Sequence, residues 1–287
     1  MIEGFLSSWT LFHNTYLAGW LIGLLLSLIG VLVVARDQIF IGAAISQAST
    51  LGIALAMAMG VWAATDTLSF MHSDRFLTIL AVAFSLLAAL MTSGTGKAGG
   101  ESHEAITGWV FLVSASFSIL IVSYSPHGLE EIHRLLASSI IGATGSDVWT
   151  FGMLAALSAL LLVAAHSRIL LFAIDPAMAG AVGMNVRRWT AAISAWLGLA
   201  VGLSIRSSGM LYTFGCLVLP ALIAKNVCRE VRPMFLVAPV VAVGTGAVGF
   251  VLANHYDFPP AQMTVALLSF LLMAAWLVPR MRRRAMR

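Results

Sequence analysis

Nine stretches, each roughly 20 residues long and almost free of charge, follow one another between residues 17 and 279. An α-helix rises about 1.5 Å per residue, so about 20 apolar residues cross a hydrocarbon core about 30 Å thick. Backbone polar groups have no water to bond in that core, so each block is expected to be a helix that satisfies them internally. The blocks fall at 17–35, 39–64, 76–93, 105–124, 148–166, 189–206, 208–225, 234–253 and 260–279. The 208–225 block opens on Ser207-Ser208-Gly209 and contains Pro220, so a broken or partly re-entrant helix is expected there. The fold class that follows is an all-α polytopic membrane protein with eight or nine transmembrane helices.

Composition excludes the alternatives. Of the 287 residues 60% are hydrophobic and only 10% charged, against about 25% charged in soluble domains, so a soluble enzyme is ruled out. Cys216 and Cys228 are too few for a disulfide framework. On one helix their 12-residue separation is about 18 Å, too far for them to pair. The N-terminal stretch lacks the basic region and small-residue cleavage site of a removable signal peptide, so the first span is expected to be retained.

The charges sort by side. With alternate loops taken as cytoplasmic from the one after the first span, 13 of the 16 Lys and Arg residues lie inside. The three left outside are Arg75, Arg134 and Arg206. Basic residues concentrate on the cytoplasmic side of membrane proteins, so the C-terminus is predicted inside and the N-terminus outside. This distribution also explains the net charge of +4 without nucleic acid as a partner.

No separate soluble domain is visible, and residues 1–287 read as one transmembrane domain. The external stretch 125–147 carries Ile132, Leu135, Leu136 and Ile140 at helical spacing, as expected for a helix lying against the bundle. Gly19 with Gly23, and Gly198 with Gly202, are GxxxG pairs that permit close helix contact. Ser93-Gly94-Thr95-Gly96-Lys97-Ala98 has Met91 where a P-loop needs Gly, and Ala98 where it needs Ser or Thr. Nucleotide hydrolysis, if transport is driven by it, must therefore come from a partner. No HExxH or GxSxG string marks a membrane enzyme.

The cytoplasmic stretch 167–188 contains Asp175-Pro176-Ala177-Met178-Ala179-Gly180-Ala181-Val182-Gly183. Asp suits the N-cap, Pro the first helical position and Gly the C-terminal stop, so a short capped helix is predicted. Local chemistry leaves two readings open: a turn helix, or a surface on which another protein docks.

Taken in order, several strings resemble the permease subunits of the ABC-type importers of zinc, manganese and iron. Tyr16-Leu17-Ala18-Gly19 through Val34 is similar to that family's first span, and Gly42 through Ala56 to its second. Glu104-Ala105-Ile106-Thr107-Gly108, Ile140-Ile141-Gly142 with Asp147, Gly209-Met210-Leu211 through Pro220-Ala221, and Tyr256 through Pro260 resemble later elements. The DPxxAxxxG string formed by Asp175, Pro176, Ala179 and Gly183 resembles the family's coupling helix. The resemblance implies a type II ABC importer-like bundle in the bacterial cytoplasmic (inner) membrane, transporting a divalent metal. It also implies a separate ATP-binding subunit, a second permease subunit and an extracytoplasmic solute-binding protein. No cofactor bound by this chain is expected.

One departure stands out. The family usually carries an Asp and a His four residues apart on the second span, on one helix face. Here those positions are Ala43 and Gln47, and a common Pro four residues on is Leu51. Ser46, Gln47, Ser49 and Thr50 keep the stripe polar without an anionic ligand, leaving Ser46, Gln47 and Thr50 as translocation-path candidates. An amide oxygen is a poor ligand for Zn²⁺. An equal reading has Gln47 bridging helices by hydrogen bonding. His127, Glu130 and His133 on the outer stretch form a candidate metal-collecting site. Two rival functions remain at this level: a permease for a metal chelate or cofactor, and an ion-coupled secondary transporter. The second is disfavoured because few charges lie deep in any span and no internal repeat is visible.

Overall fold

The computed structural model describes residues 2–62, 73–93, 102–123 and 140–285. Among them the regular structure is helical: α1 (Ile2–Ala35), α2 (Ile39–Trp62), α3 (Asp74–Thr92), α4 (His103–Ser123), a 3₁₀ turn at Ile140–Gly142 and α5 (Gly145–Ala164). Then follow α6 (His166–Ile174), α7 (Pro176–Ala181), α8 (Val186–Val227), α9 (Val231–Tyr256) and α10 (Pro260–Ala285). Eight of these helices are long and apolar enough to cross a membrane.

The 42-residue α8 accounts for two of the nine predicted blocks. Straight, it would be about 63 Å long, twice a hydrocarbon core. It is interrupted at Gly209, whose φ of 78° and ψ of 169° lie where an L side chain is strained. The break falls where the Ser207-Ser208-Gly209 signal predicts it. Beyond it, residues 210–227 continue as a helix through Pro220, about 27 Å long. The first helix begins earlier than the hydropathy pattern suggests, at Ile2 rather than residue 17. Thr10, His13, Asn14 and Thr15 lower the local hydropathy without breaking a helix.

The surface is apolar, unlike that of a soluble protein, and hydroxyl-bearing residues join the apolar interior. Trp109, Leu112, Phe117, Trp149, Met153 and Phe270 are exposed, while Ser27, Ser46, Ser85, Ser204, Thr213 and Thr264 are buried. Lipid tails solvate apolar side chains as well as a core would, so helix contacts favour small and hydroxyl-bearing residues instead.

The helices gather into two compact units, and among the described residues the chain passes between them at Asp37/Gln38, Ile174/Asp175 and, within α8, Met210/Leu211. The first contains α1, α5, α6, the second half of α8, α9 and α10. Within it α1 packs along α9 and α5, and α10 packs on α9. The Tyr212 hydroxyl donates to the Gly19 carbonyl at 3.0 Å, and the Phe250 ring stands among Tyr16, Trp20 and Tyr212. A Cβ on Gly19 would strike Phe250, whereas Gly23 has only ordinary contacts, so one member of that GxxxG pair makes the close approach. At the end of α1 the Arg36 guanidinium lies 4.7 Å from the Phe172 ring centroid, and burial holds its pKa below the ordinary value. Lys225 Nζ donates to Asp37 Oδ1 at 2.7 Å, an exposed pair that contributes little.

The second unit contains α2, α3, α4, α7 and the first half of α8. Its α2 packs against both α3 and α4. Both members of the Gly198/Gly202 pair are used here: a Cβ on either would press on the α3 backbone, and Ser85 Oγ donates to the Gly198 carbonyl at 2.7 Å. Arg206 and Asp74 approach to 3.4 Å where α8 meets the start of α3.

Candidate functional site

The Asp175–Gly183 segment is closed at both ends by hydrogen bonds. Asp175 is extended (φ −142°, ψ 90°), and its Oδ1 accepts from the backbone N–H of Ala177 at 3.0 Å and of Met178 at 2.9 Å. Pro176 fills the first helical position, where no N–H is needed. At the other end Met184 N–H donates to the Ala179 carbonyl and Gly183 N–H to the Gly180 carbonyl, both at 3.0 Å. This is a Schellman pair, and Gly183 supplies the left-handed residue it requires, with φ 87°. Asn185 then starts α8, its Oδ1 accepting from Arg188 N–H at 3.1 Å. Asn185 was not among the residues expected to matter, although Asn is a favoured N-cap and directly precedes the helical stretch.

Only Ala179 of the predicted set turns inward, fully buried, while Asp175 and Gly183 are exposed. Met178 is 52% exposed and Val182 68%, so the outward surface of this element is apolar. Six helical residues would not hold their shape in isolation. The caps fix the backbone, which leaves the apolar side chains presented on a rigid turn. Replacing Asp175 by Ala should cost about 1 kcal/mol locally. Amide exchange at Ala177 and Met178 should then accelerate about fivefold, while the rest of α8 remains unchanged.

On α2 the predicted polar stripe is enclosed. Ser46, Ser49 and Thr50 are buried, and the Thr50 hydroxyl bonds back to the Ser46 carbonyl at 3.0 Å. The hydroxyls of Ser46 and Ser49 are buried without a hydrogen-bond partner among the described residues. Such groups are rare because each costs about 1–3 kcal/mol. Between Ile41 and Ala54, Gln47 is the one residue that is not buried. Ala43, at the position of the resembled family's Asp, is buried at 8% exposure. Among the described residues no three His, Cys, Asp or Glu side chains come together as a metal site. His127, Glu130 and His133 lie outside the described residues. Asp147 serves locally: its Oδ2 accepts from the Thr144 N–H and hydroxyl, both at 2.8 Å, at the start of α5.

The ABC 3 transport family matches residues 8–279, nearly the whole chain. This chain belongs to that family. It is 24% identical over 288 residues to the manganese import system permease protein ScaB of Streptococcus gordonii, covering 98% of each chain. To the manganese transport system membrane protein MntC of Listeria innocua it is 22% identical over 256 residues, 89% of this chain and 86% of that one. Its fold resembles that in the structure of PsaBC from Streptococcus pneumoniae in complex with Fab, with a TM-score of 0.77 at 19% identity. That likeness covers 96% of this chain and 95% of the other. The protein is thus a membrane-embedded ABC transport permease, and the ion-coupled secondary transporter has no support.

Proposed function

We propose that this chain is the transmembrane subunit of an ATP-driven importer whose cargo is a divalent transition metal, with manganese the first candidate among manganese, iron and zinc. The family match over residues 8–279 carries the reading, and the manganese names of ScaB and MntC support the cargo. Chemistry adds to it: Gln47, the one residue of the stripe that is not buried, offers a neutral amide oxygen, which suits Mn²⁺ better than Zn²⁺. Without a carboxylate the ion is held weakly and is free to move on.

Residues 1–287 act as one permease in the inner membrane, with the C-terminus cytoplasmic. A partner ATPase docks on Asp175–Gly183, a second permease subunit completes the pathway, and a solute-binding protein delivers the ion from outside. ATPase closure pushes on the capped element and alternates access between the two faces of the membrane.

Reconstitution of the full complex in vesicles tests this. ATP-dependent uptake of Mn²⁺ is expected, from a panel of Mn²⁺, Fe²⁺ and Zn²⁺. Uptake of no metal, or uptake indifferent to ATP, would overturn the reading. In the same assay Gln47→Ala should slow Mn²⁺ uptake roughly fivefold, the equivalent of about 1 kcal/mol. Unchanged uptake would remove Gln47 from the path.

A further inference from the structure

A cavity of about 410 Å³ lies in the first unit between α1, α5, α6 and α9. Eight of its ten lining residues are apolar, Leu28, Val163 and Leu236 among them; the other two are His166 and Arg232. The position of these two is informative. α5 ends at Ala164, α6 begins at His166 and α9 begins at Val231, so both sit where spans reach the membrane boundary. Both are exposed, as are Val163 at 76% and Leu236 at 74%.

The cavity therefore has a hydrocarbon wall running into the span region and a cationic rim at the interface. Arg36, Arg168, Lys225 and Arg229 lie at the same ends of these helices. Of the acidic residues there, Asp37 is bonded to Lys225, and Glu230 precedes α9 without lining the cavity. This is the end that the charge distribution places on the cytoplasmic side, where membrane lipids are anionic. A guanidinium presents paired N–H groups that match phosphate oxygens. A two-fold contact with a second copy of the chain would set this basic rim against itself, which disfavours that occupant.

We propose that this cavity binds an anionic phospholipid, an acyl chain lying along Leu28, Val163 and Leu236 and the phosphate held at Arg232 and His166. The proposal is independent of the cargo.

Native mass spectrometry of the purified full chain tests it, with phosphatidylglycerol and phosphatidylcholine as probes. Phosphatidylglycerol should be retained in preference. Arg232→Gln should lower its retention about fivefold, the worth of one basic residue at an anionic surface, and leave phosphatidylcholine unchanged. His166→Gln should act in the same direction, and Arg187→Gln, which does not line the cavity, should have no effect. Each variant should stay monodisperse with unchanged helix content, since the three side chains are exposed. Equal retention of the two lipids, or no effect of Arg232→Gln, would overturn the proposal. So would displacement of phosphatidylglycerol by inorganic phosphate alone, which would make this a phosphate site. A change in oligomeric state on Arg232→Gln without a change in lipid retention would mark the surface as a protein interface instead.

Discussion

Met178→Glu should separate this permease from the ATPase proposed to dock on it, while leaving the permease folded and inserted. Met178 lies on the exposed side of the capped element, where 52% of its surface is free, so a charged side chain there meets no internal neighbour. The Asp175 cap and the Gly183 stop involve backbone groups that the substitution does not touch. Against an apolar cleft in a partner, however, the carboxylate would be desolvated without a counter-charge. A contact of that kind typically costs 2 kcal/mol or more, so ATPase retained on affinity-purified permease should fall by about thirtyfold. Val182→Glu, on the same exposed surface, should reproduce the loss, and deletion of 175–183 should abolish capture. Pull-down from membranes expressing both subunits reads this directly. Retention of the ATPase by all three variants would show that the coupling surface lies elsewhere.

This element was legible in the sequence because every signal it uses is local. Asp before Pro, then Gly eight residues after the Asp, specify start and stop through hydrogen bonds that span at most five residues. The break in α8 was legible for the same reason: a glycine after two serines marked the place where φ is positive. The enclosure of α2 was not. Hydropathy cannot distinguish a polar stripe facing a pathway from one packed against α3 and α4, and it leaves Ser46, Gln47 and Ser49 equivalent. Only the packed fold shows that Gln47 keeps accessible surface while the two serine hydroxyls lie buried without partners among the described residues. Likewise the Tyr212 to Gly19 hydrogen bond joins residues 193 apart, and nothing near either residue announces the other. The lipid cavity has the same character, since His166 and Arg232 come from separate helices. As for the charge arithmetic, it identified the basic end of the bundle but not the apolar trough beside it.

Gly30→Val should be the most destructive single substitution in the first unit. Gly30 sits inside α1, where glycine is a poorer helix former than alanine by about 1 kcal/mol, so helix propensity alone favours replacement. Packing reverses that preference. A Cβ built on Gly30 would collide with the backbone carbonyl of Leu217 in the second half of α8. Side chains yield to crowding by changing rotamer, but a carbonyl held in a helix moves only if the helix moves. Both neighbours are themselves confined, since Val31 and Leu217 are fully buried. Ordinary overpacking costs about 1–3 kcal/mol. A collision with backbone belongs at or beyond the upper end, because relief requires α1 and the second half of α8 to separate along their contact. Thermal unfolding of the detergent-solubilised protein should show a fall of at least several degrees for Gly30→Ala. For Gly30→Val, folded protein should be largely lost from the membrane fraction. Gly244→Ala is the matched control: it lies inside α9 with open space where its Cβ would stand, and should leave stability unchanged or slightly improved. If Gly30→Val accumulated and melted like the parent, the close contact of α1 with α8 would not be a determinant of this fold.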